Sequence, residues 1–158
     1  MIELQSSQPA HAAALPLVPR QVHTRFGAFD VEPRSVIHFG DGLPGFEQNR
    51  RFVLLSSPEL APLHVLHHLD GPAASFLAVD PRVVLPAYRT VLSAGDLLRL
   101  GADESAPLVW LALVTMDEDQ GPSVNLRAPI VVNPARMTGC QVMPHSSLYP
   151  LRHPLAVE

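Results

Sequence analysis

The sequence predicts an all-β, mainly antiparallel fold: a small β-barrel-like single domain with one short helix near residues 93–101. The 158 residues include 17 prolines and 9 glycines, which interrupt helices and form turns. The apolar runs between these residues are short and closely spaced, as the strands of a barrel or sandwich are. The segment from Ser123 to Asn133 also alternates with a period of two, which is typical of a strand with one buried face.

The chain is expected to begin with a flexible N-terminal extension, residues 1–20, and to fold as one domain over residues 21–158. Two short runs around Gly27 predict strands that meet at a tight turn or bulge. Further strands are predicted at 36–39, 51–56, 63–69, 75–80, 108–116 and 138–143. The run at 108–116 is apolar on both faces, which indicates a central strand.

The short helix is predicted from its two ends. Ser93 and Asp96 form a loose capping box before the apolar residues of the helix. Gly101 stands where a C-terminal cap belongs. Together, these two ends predict a helix from about 93 to 101.

The strand predicted at 123–133 has two distinct rows of side chains. The inward row is Val124, Leu126, Ala128, Ile130 and Val132. The outward row is Asn125, Arg127, Pro129 and Asn133, with Val131 as an apolar exception. Because proline cannot donate to a ladder, this strand is expected at a sheet edge, where the outward row would suit a protein partner. The pattern alone favours an ordinary edge strand protected by Pro129 and Arg127.

The segment Leu43-Pro44-Gly45-Phe46 predicts a type II turn, with proline at the second position and glycine at the third. The surrounding loop is rich in glycine, but it lacks the lysine and the following helix of a phosphate-binding loop. Leu43 and Phe46 would be partly exposed anchors for a partner if the loop were functional. A purely structural turn is the favoured interpretation.

Charge and cysteine content exclude several classes of function. The net charge is −4, all 11 basic residues are arginines, and they form no basic stripe, so direct binding of nucleic acid is disfavoured. A single cysteine, Cys140, excludes an internal disulfide framework and fits a reducing cytoplasm. No run is long enough to span a membrane, and the N-terminus is a poor secretory signal.

The local cluster of ligand-type residues is His64, His67 and His68, followed by Asp70. On a strand, two of these histidines share a face and the third points the other way, so they do not form the three convergent ligands of a zinc site. Ordinary surface or half-buried histidines are favoured. No nucleophile elbow or carboxylate pair is visible, and we expect no catalytic residue, no metal and no cofactor.

Several motifs, taken in order, resemble the flagellar assembly factor FliW family across residues 24 to about 155. No single motif is specific, but their order in so short a chain makes the resemblance strong. The motifs are Phe26-Gly-Ala-Phe-Asp-Val31, Ile37-His-Phe39, Gly42-Leu-Pro-Gly-Phe46, Arg51-Phe-Val-Leu-Leu55, Asn125-Leu-Arg-Ala-Pro-Ile-Val-Val-Asn133, Gln141-Val142 and Tyr149-Pro-Leu-Arg-His-Pro-Leu155.

The resemblance implies a small antiparallel β-barrel and a protein-binding regulator with no enzymatic activity. Such a regulator sequesters the translational repressor CsrA, away from the RNA-contacting surface of CsrA, so the antagonism is allosteric. Newly made flagellin captures the regulator and releases CsrA, which couples flagellin synthesis to export. The chain is then expected to be a cytoplasmic monomer when free. The candidate protein-binding residues are Leu43, Pro44, Phe46, Asn125, Arg127, Pro129, Asn133 and Tyr149.

Two departures from the family pattern bear on this expectation. Residues 1–20 lie outside the pattern, and the segment Pro144-His-Ser-Ser-Leu148 lacks an acidic residue often found near the tail. The alternative function is a small-molecule-binding barrel with a ligand between its sheets, lined by the strand at 108–116. A filled interior would argue against that alternative.

Overall fold

A computed structural model describes residues 18–70 and 74–156, and these residues form mostly short strands. The predicted extension at 1–20 lies almost wholly outside the described residues. The strands are β1 (Gln21–Thr24), β2 (Gly27–Asp30), β3 (Val36–Phe39), β4 (Arg51–Leu55), β5 (Leu63–His68), β6 (Ser75–Val79), β7 (Val109–Asp117), β8 (Gly121–Val124), β9 (Ile130–Asn133), β10 (Thr138–Gln141) and β11 (His153–Pro154). The helices are α1 (Pro81–Val84) and α2 (Ala94–Leu100), and a 3-10 turn spans Pro33–Ser35.

Seven of the strands close into a barrel. They follow the order β7-β6-β5-β4-β3-β10-β9, and β9 pairs again with β7. The pairing of β3 with β10 is parallel, whereas the other pairings around the ring are antiparallel. Strands β8 and β11 extend the sheet beyond β7, and β1 and β2 form a separate hairpin. The predicted all-β, barrel-like fold class is confirmed.

The barrel interior is filled by large apolar side chains. Phe39 and Phe52 meet edge to face with ring centroids 4.9 Å apart, and both are fully buried. Leu66, Leu111 and Ile130 pack in the same cluster and are at most 2% exposed. The interior is therefore a packed core, and burial of each side chain of this size contributes roughly 1.5–3 kcal/mol.

The outer face of the barrel is covered by three further layers, which explains why several strands are apolar on both faces. The β1–β2 hairpin contributes Val22 and Phe29 to a cluster over β3 to β6. A second cluster joins Tyr88 and Leu126 over β6 and β7, and a third places Leu100 of α2 against β9 and β10. The strand at 108–116 is therefore buried on both faces at its centre, as predicted.

Helix α2 has the predicted caps. The backbone N–H of Asp96 donates to Ser93 Oγ at 3.1 Å, and the Asp96 carboxylate accepts from the Ser93 N–H at 3.1 Å. Gly101 ends the helix in the left-handed conformation, with φ +64°. With seven residues, α2 is the longer of the two helices, and in the described part of the chain no helix is long and apolar enough to cross a membrane.

The strand predicted from Ser123 to Asn133 is wrong as a continuous edge strand. Strand β8 ends at Val124 and β9 begins at Ile130, and both pair with β7. Five residues, 125–129, stand opposite only two residues of β7, so the chain bulges away between the two strands. Neither strand is a free edge, because β11 covers β8 and β10 covers β9.

Candidate protein-binding surface

The turn at Leu43–Phe46 has the predicted conformation. The N–H of Phe46 donates to the carbonyl of Leu43 at 2.7 Å, and Gly45 has φ +86°, as the third position of a type II turn requires. The Gly45 N–H also donates to the Glu47 carboxylate at 2.6 Å. A Cβ on Gly42 would lie 2.6 Å from the backbone of Glu47, so the chain can fold back here only with glycine. The loop is thus a closely packed, hydrogen-bonded structure.

The two apolar residues of this turn have opposite environments. Phe46 is 42% exposed and lies edge to face with Phe76 at 5.3 Å. Leu43 is only 2% exposed and packs in the barrel core, which corrects the expectation that it is a partly exposed anchor. The burial of Leu43 anchors the turn to the barrel, whereas Pro44 and Phe46 are exposed.

An open cleft of about 590 Å³ lies beside the turn. Pro44 and Glu47 of the turn line one part of it, and Asp96 and Arg99 of α2 line another. Met143 also lines the cleft and is 59% exposed. The cleft therefore combines apolar side chains with a cluster of charges.

The charges in the cleft are predominantly negative. Arg99 pairs with Asp96 at 2.5 Å and reaches Asp41 at 3.6 Å. Burial raises the pKa of Asp96, but hydrogen bonds from Arg99 and Ser93 outweigh burial and hold that pKa below its usual range. Since Glu47 adds a further carboxylate, the lining has more acidic than basic groups and suits a basic partner surface.

The excursion at 125–129 is organised by Asn125. Its side-chain Oδ1 accepts from the backbone N–H groups of Arg127 and Ala128, both at 3.0 Å. This local turn competes with strand pairing and explains why the ladder breaks here. Asn125 therefore has a structural role, and Arg127 is the exposed residue of the excursion.

The side chain of Arg127 is held against the C-terminal segment. Its Nε donates to the carbonyl of Tyr149 at 2.9 Å. The ring of Tyr149 lies 4.5 Å from that of Tyr88, and its hydroxyl accepts from the Arg89 N–H at 2.9 Å. Tyr88 in turn donates to the carbonyl of Leu126 at 2.9 Å. Tyr88 was not predicted as a site residue, because it lies outside the predicted strands and its spacing in the sequence does not mark it as a partner of Tyr149.

Two residues of the predicted outward row are buried. Pro129 is buried and its carbonyl accepts from the Val142 N–H at 2.8 Å, so it offers no open carbonyl to a partner. Asn133 is 2% exposed, and its amide donates to the carbonyl of Leu100 at 2.9 Å. Asn133 thus satisfies a carbonyl at the C-terminal end of α2, a need that the alternation along β9 does not reveal.

The structure divides the predicted site residues into three groups. Arg127, Asn125 and Tyr149 are joined by the contacts just described. Pro44 and Phe46 belong to the turn and its cleft. Leu43, Pro129 and Asn133 are buried in the fold.

The three histidines of β5 have separate partners. His64 and His67 share hydrogen bonds with Ser56 at 2.6 Å and Ser75 at 2.7 Å, respectively. His68 Nε2 accepts from the Asp70 N–H at 3.0 Å. Burial first, and then the charge of His68, lowers the pKa of His67. Across residues 18–70 and 74–156 no group of three or more His, Cys, Asp or Glu side chains could hold a metal ion, and the absence of a metal in the working protein stays a prediction.

Three comparisons with known proteins identify the same family over most of the chain. The family model described as FliW protein matches residues 20–155. A flagellar assembly factor FliW of Geotalea uraniireducens (strain Rf4) is 37% identical over 132 residues, which cover 83% of this chain and 80% of that protein. One of Desulfitobacterium hafniense (strain Y51) is 38% identical over 138 residues, covering 85% and 90%. A solved structure, described as a crystal structure of the flagellar assembly factor FliW, is similar with a TM-score of 0.77 and 27% identity, covering 87% of this chain and 98% of that one. The chain belongs to the FliW family.

Proposed function

We propose that this protein is a cytoplasmic flagellar assembly factor that sequesters the translational repressor CsrA and is itself captured by flagellin. While flagellin is scarce, the protein holds CsrA off flagellin mRNA and translation proceeds. Newly made flagellin binds the protein, CsrA is released, and translation falls until flagellin is exported. Membership of the FliW family over residues 20–155 is the observation that carries this proposal.

The packed barrel supports a function carried out on the outer surface. Phe39 and Phe52 are fully buried in the interior, and a Cβ on Gly139 would lie only 2.6 Å from the Phe39 ring. Such close packing leaves no space at this level of the barrel for a small molecule. It argues against the alternative of a ligand-binding barrel and favours a protein-binding role.

The charge distribution supports a protein partner rather than RNA. The net charge is −4, and the cleft beside the turn carries Asp41, Glu47 and Asp96 together with Arg99. A surface of this kind repels a phosphate backbone and attracts basic side chains. Pro44, Phe46 and Arg127 are the predicted binding residues that are exposed enough to contact a partner.

Calorimetric titration of the purified protein with CsrA, and separately with flagellin, tests the proposal. We expect both to bind, and we expect prior saturation with flagellin to abolish the heat of CsrA binding. In a filter assay, the protein should raise the apparent Kd of CsrA for flagellin leader RNA, and under an allosteric mechanism that Kd should level off once CsrA is saturated with the protein. Failure to bind CsrA, or direct and salt-sensitive binding of this protein to that RNA, would contradict the proposal.

Two substitutions test the surface. Arg127→Ala should weaken a partner held there by about 1–3 kcal/mol if the guanidinium is desolvated in the complex. Phe46→Ala should weaken binding at the turn by a similar amount. Arg34→Ala is the matched control, because Arg34 is 86% exposed and pairs with Glu32 on the 3-10 turn. Wild-type affinities in both test variants, with normal folding, would place the partners elsewhere on the protein.

A further inference from the structure

A second depression lies on the other flank of α2, and the residues that line it do not belong to the turn or its cleft. This groove has a volume of about 480 Å³. Its apolar lining comes from three parts of the chain: the segment before α2, α2 itself and the start of β7. The main apolar side chains are Val91, Leu92, Leu97, Leu108 and Trp110. We refer to it as the α2 groove.

The apolar surface of this region is open to solvent and extends past the α2 groove. Val91 of the lining is 83% exposed, and Leu98 of α2, next to Leu97, is 82% exposed. Successive helical residues are about 100° apart, so Leu100 can face the barrel and Leu97 the groove, while Leu98 must point outward. A solvated helix position normally carries a polar residue, so a leucine that is 82% exposed next to an apolar groove marks this as a surface to be covered.

The charged side chains that line the α2 groove, Asp103 and Glu104, are both acidic and exposed. Hydrogen bonds from Ser105 hold the pKa of Asp103 below its usual range, so its carboxylate stays ionised near neutrality. No arginine contributes to the described lining. Charge complementarity therefore calls for an occupant with basic residues beside its apolar ones.

The geometry favours a helix over an added strand. Strand addition depends on main-chain hydrogen bonds along an open sheet edge, and Val109 to Leu111 of β7, beside the groove, are already paired with β9 along one edge. The walls of the groove are side chains from α2 and from the segments on either side of it. An amphipathic helix binds such a groove with apolar residues at positions i, i+3 or i+4, and i+7.

We propose that the α2 groove binds an amphipathic helix of a protein partner, with leucine-like residues toward Trp110 and arginine or lysine toward Asp103 and Glu104. This site is distinct from the turn and its cleft, which lie on the other flank of α2.

Trp110 provides a direct readout, because it is the only tryptophan in the sequence and it lines the groove. The probe is an 18-residue helical peptide without aromatic residues, with leucines at i, i+3, i+4 and i+7 and with flanking arginines. A matched peptide carries glutamates in place of the arginines. We expect a saturable change in Trp110 fluorescence with the basic peptide, and at least tenfold weaker binding of the acidic one.

Substitutions at exposed positions then locate the site. Val91→Arg should weaken binding of the basic peptide at least tenfold, and Glu104→Arg should weaken it several-fold. Met116→Arg is the control, since Met116 is 65% exposed and lies six residues, roughly 20 Å, along β7 from Trp110. No saturable response, equal affinity for the two peptides, or wild-type affinity in Val91→Arg would overturn the proposal.

That the helix belongs to CsrA or to flagellin rests on the proposed function, and calorimetry with the intact proteins tests it. We expect Val91→Arg to lose at least tenfold in affinity for one of them. If the wild type binds both and Val91→Arg binds both equally well, the groove proposal is overturned while the proposed function stands. If the wild type binds neither, the proposed function fails, and the peptide titration still decides whether the groove binds a helix.

Discussion

Replacing Gly139 with alanine should destabilise the barrel, although glycine to alanine in a strand is normally favourable. Gly139 lies in β10 opposite Phe39 of β3. A Cβ at this position would meet three atoms of the Phe39 ring at 2.6, 2.8 and 3.0 Å. The ring is fully buried and packed against Phe52, so it cannot swing aside without displacing the core. Such overpacking costs about 1–3 kcal/mol.

The expected net loss follows from two opposing effects. Alanine gains about 0.5–1 kcal/mol over glycine within a strand, because it restricts the unfolded chain more. At the midpoints of the two ranges the clash outweighs this gain and leaves a net destabilisation of about 1 kcal/mol. For a domain of this size, that corresponds to a fall in Tm of about 2–4 °C.

Thermal and urea unfolding of Gly139→Ala measure the effect, with Gly40→Ala as the matched control. A Cβ on Gly40 meets nothing within 4 Å, so that variant should be as stable as the wild type or more so. Adding Phe39→Leu to Gly139→Ala should recover part of the loss, which would appear in a double-mutant cycle as a coupling of about 0.5–3 kcal/mol. A Gly139→Ala variant at least as stable as Gly40→Ala would refute the close approach of β3 and β10.

Three further predictions follow from other parts of the fold. Asn133→Ala should cost about 0.5–1.5 kcal/mol in urea unfolding, because the carbonyl of Leu100 loses its amide donor and keeps the Thr138 hydroxyl. It should not change the affinity for CsrA, and weaker binding with unchanged stability would return Asn133 to the interface. Burial and the charge of His68 lower the pKa of His67 below 6.5, so as the pH falls the unfolded chain binds this proton before the folded chain does. The contribution of His67 to the free energy of unfolding is therefore complete above pH 6.5 and declines as the pH falls toward the folded pKa. His67→Gln should flatten this decline when unfolding is measured across a series of pH values. Gly45→Val should cost about 1–3 kcal/mol, because valine is strained at φ +86°, whereas Gly45→Asn should cost less; equal melting of the valine variant and the wild type would contradict the type II turn.

The features that were predicted correctly from sequence are those set by local pattern. The inward row of residues 123–133 is buried throughout, because alternation reports which side chains face a core. The capping residues Ser93 and Gly101 defined the ends of α2, because hydrogen bonding and backbone conformation at helix ends depend on few neighbours. The turn at Leu43–Phe46 was predictable for the same reason.

The features that were missed depend on distant parts of the chain. The turn signal cannot show that Leu43 inserts into the barrel while Phe46 does not. The binary pattern of 123–133 does not reveal that the Asn125 side chain forms its own turn and breaks the ladder. The burial of Asn133 depends on where α2 ends in space, and the α2 groove depends on three separate segments meeting. These are outcomes of tertiary packing, which overrides local preference.

The closure of the barrel by β9 and β10 has a consequence for how the chain folds during synthesis. Strands β3 to β6 pair in sequence as a meander, so this part can form while later residues are still being made. The inner face of the meander, which includes Phe39 and Phe52, is closed only when β10 arrives beside β3, about a hundred residues after β3 begins. A polypeptide that stops short of residue 138 would leave the barrel open along β3, whose outer edge would then be unpaired. Incomplete chains should therefore be a source of aggregation, and the parallel pairing of β10 with β3 is the step that ends this vulnerability.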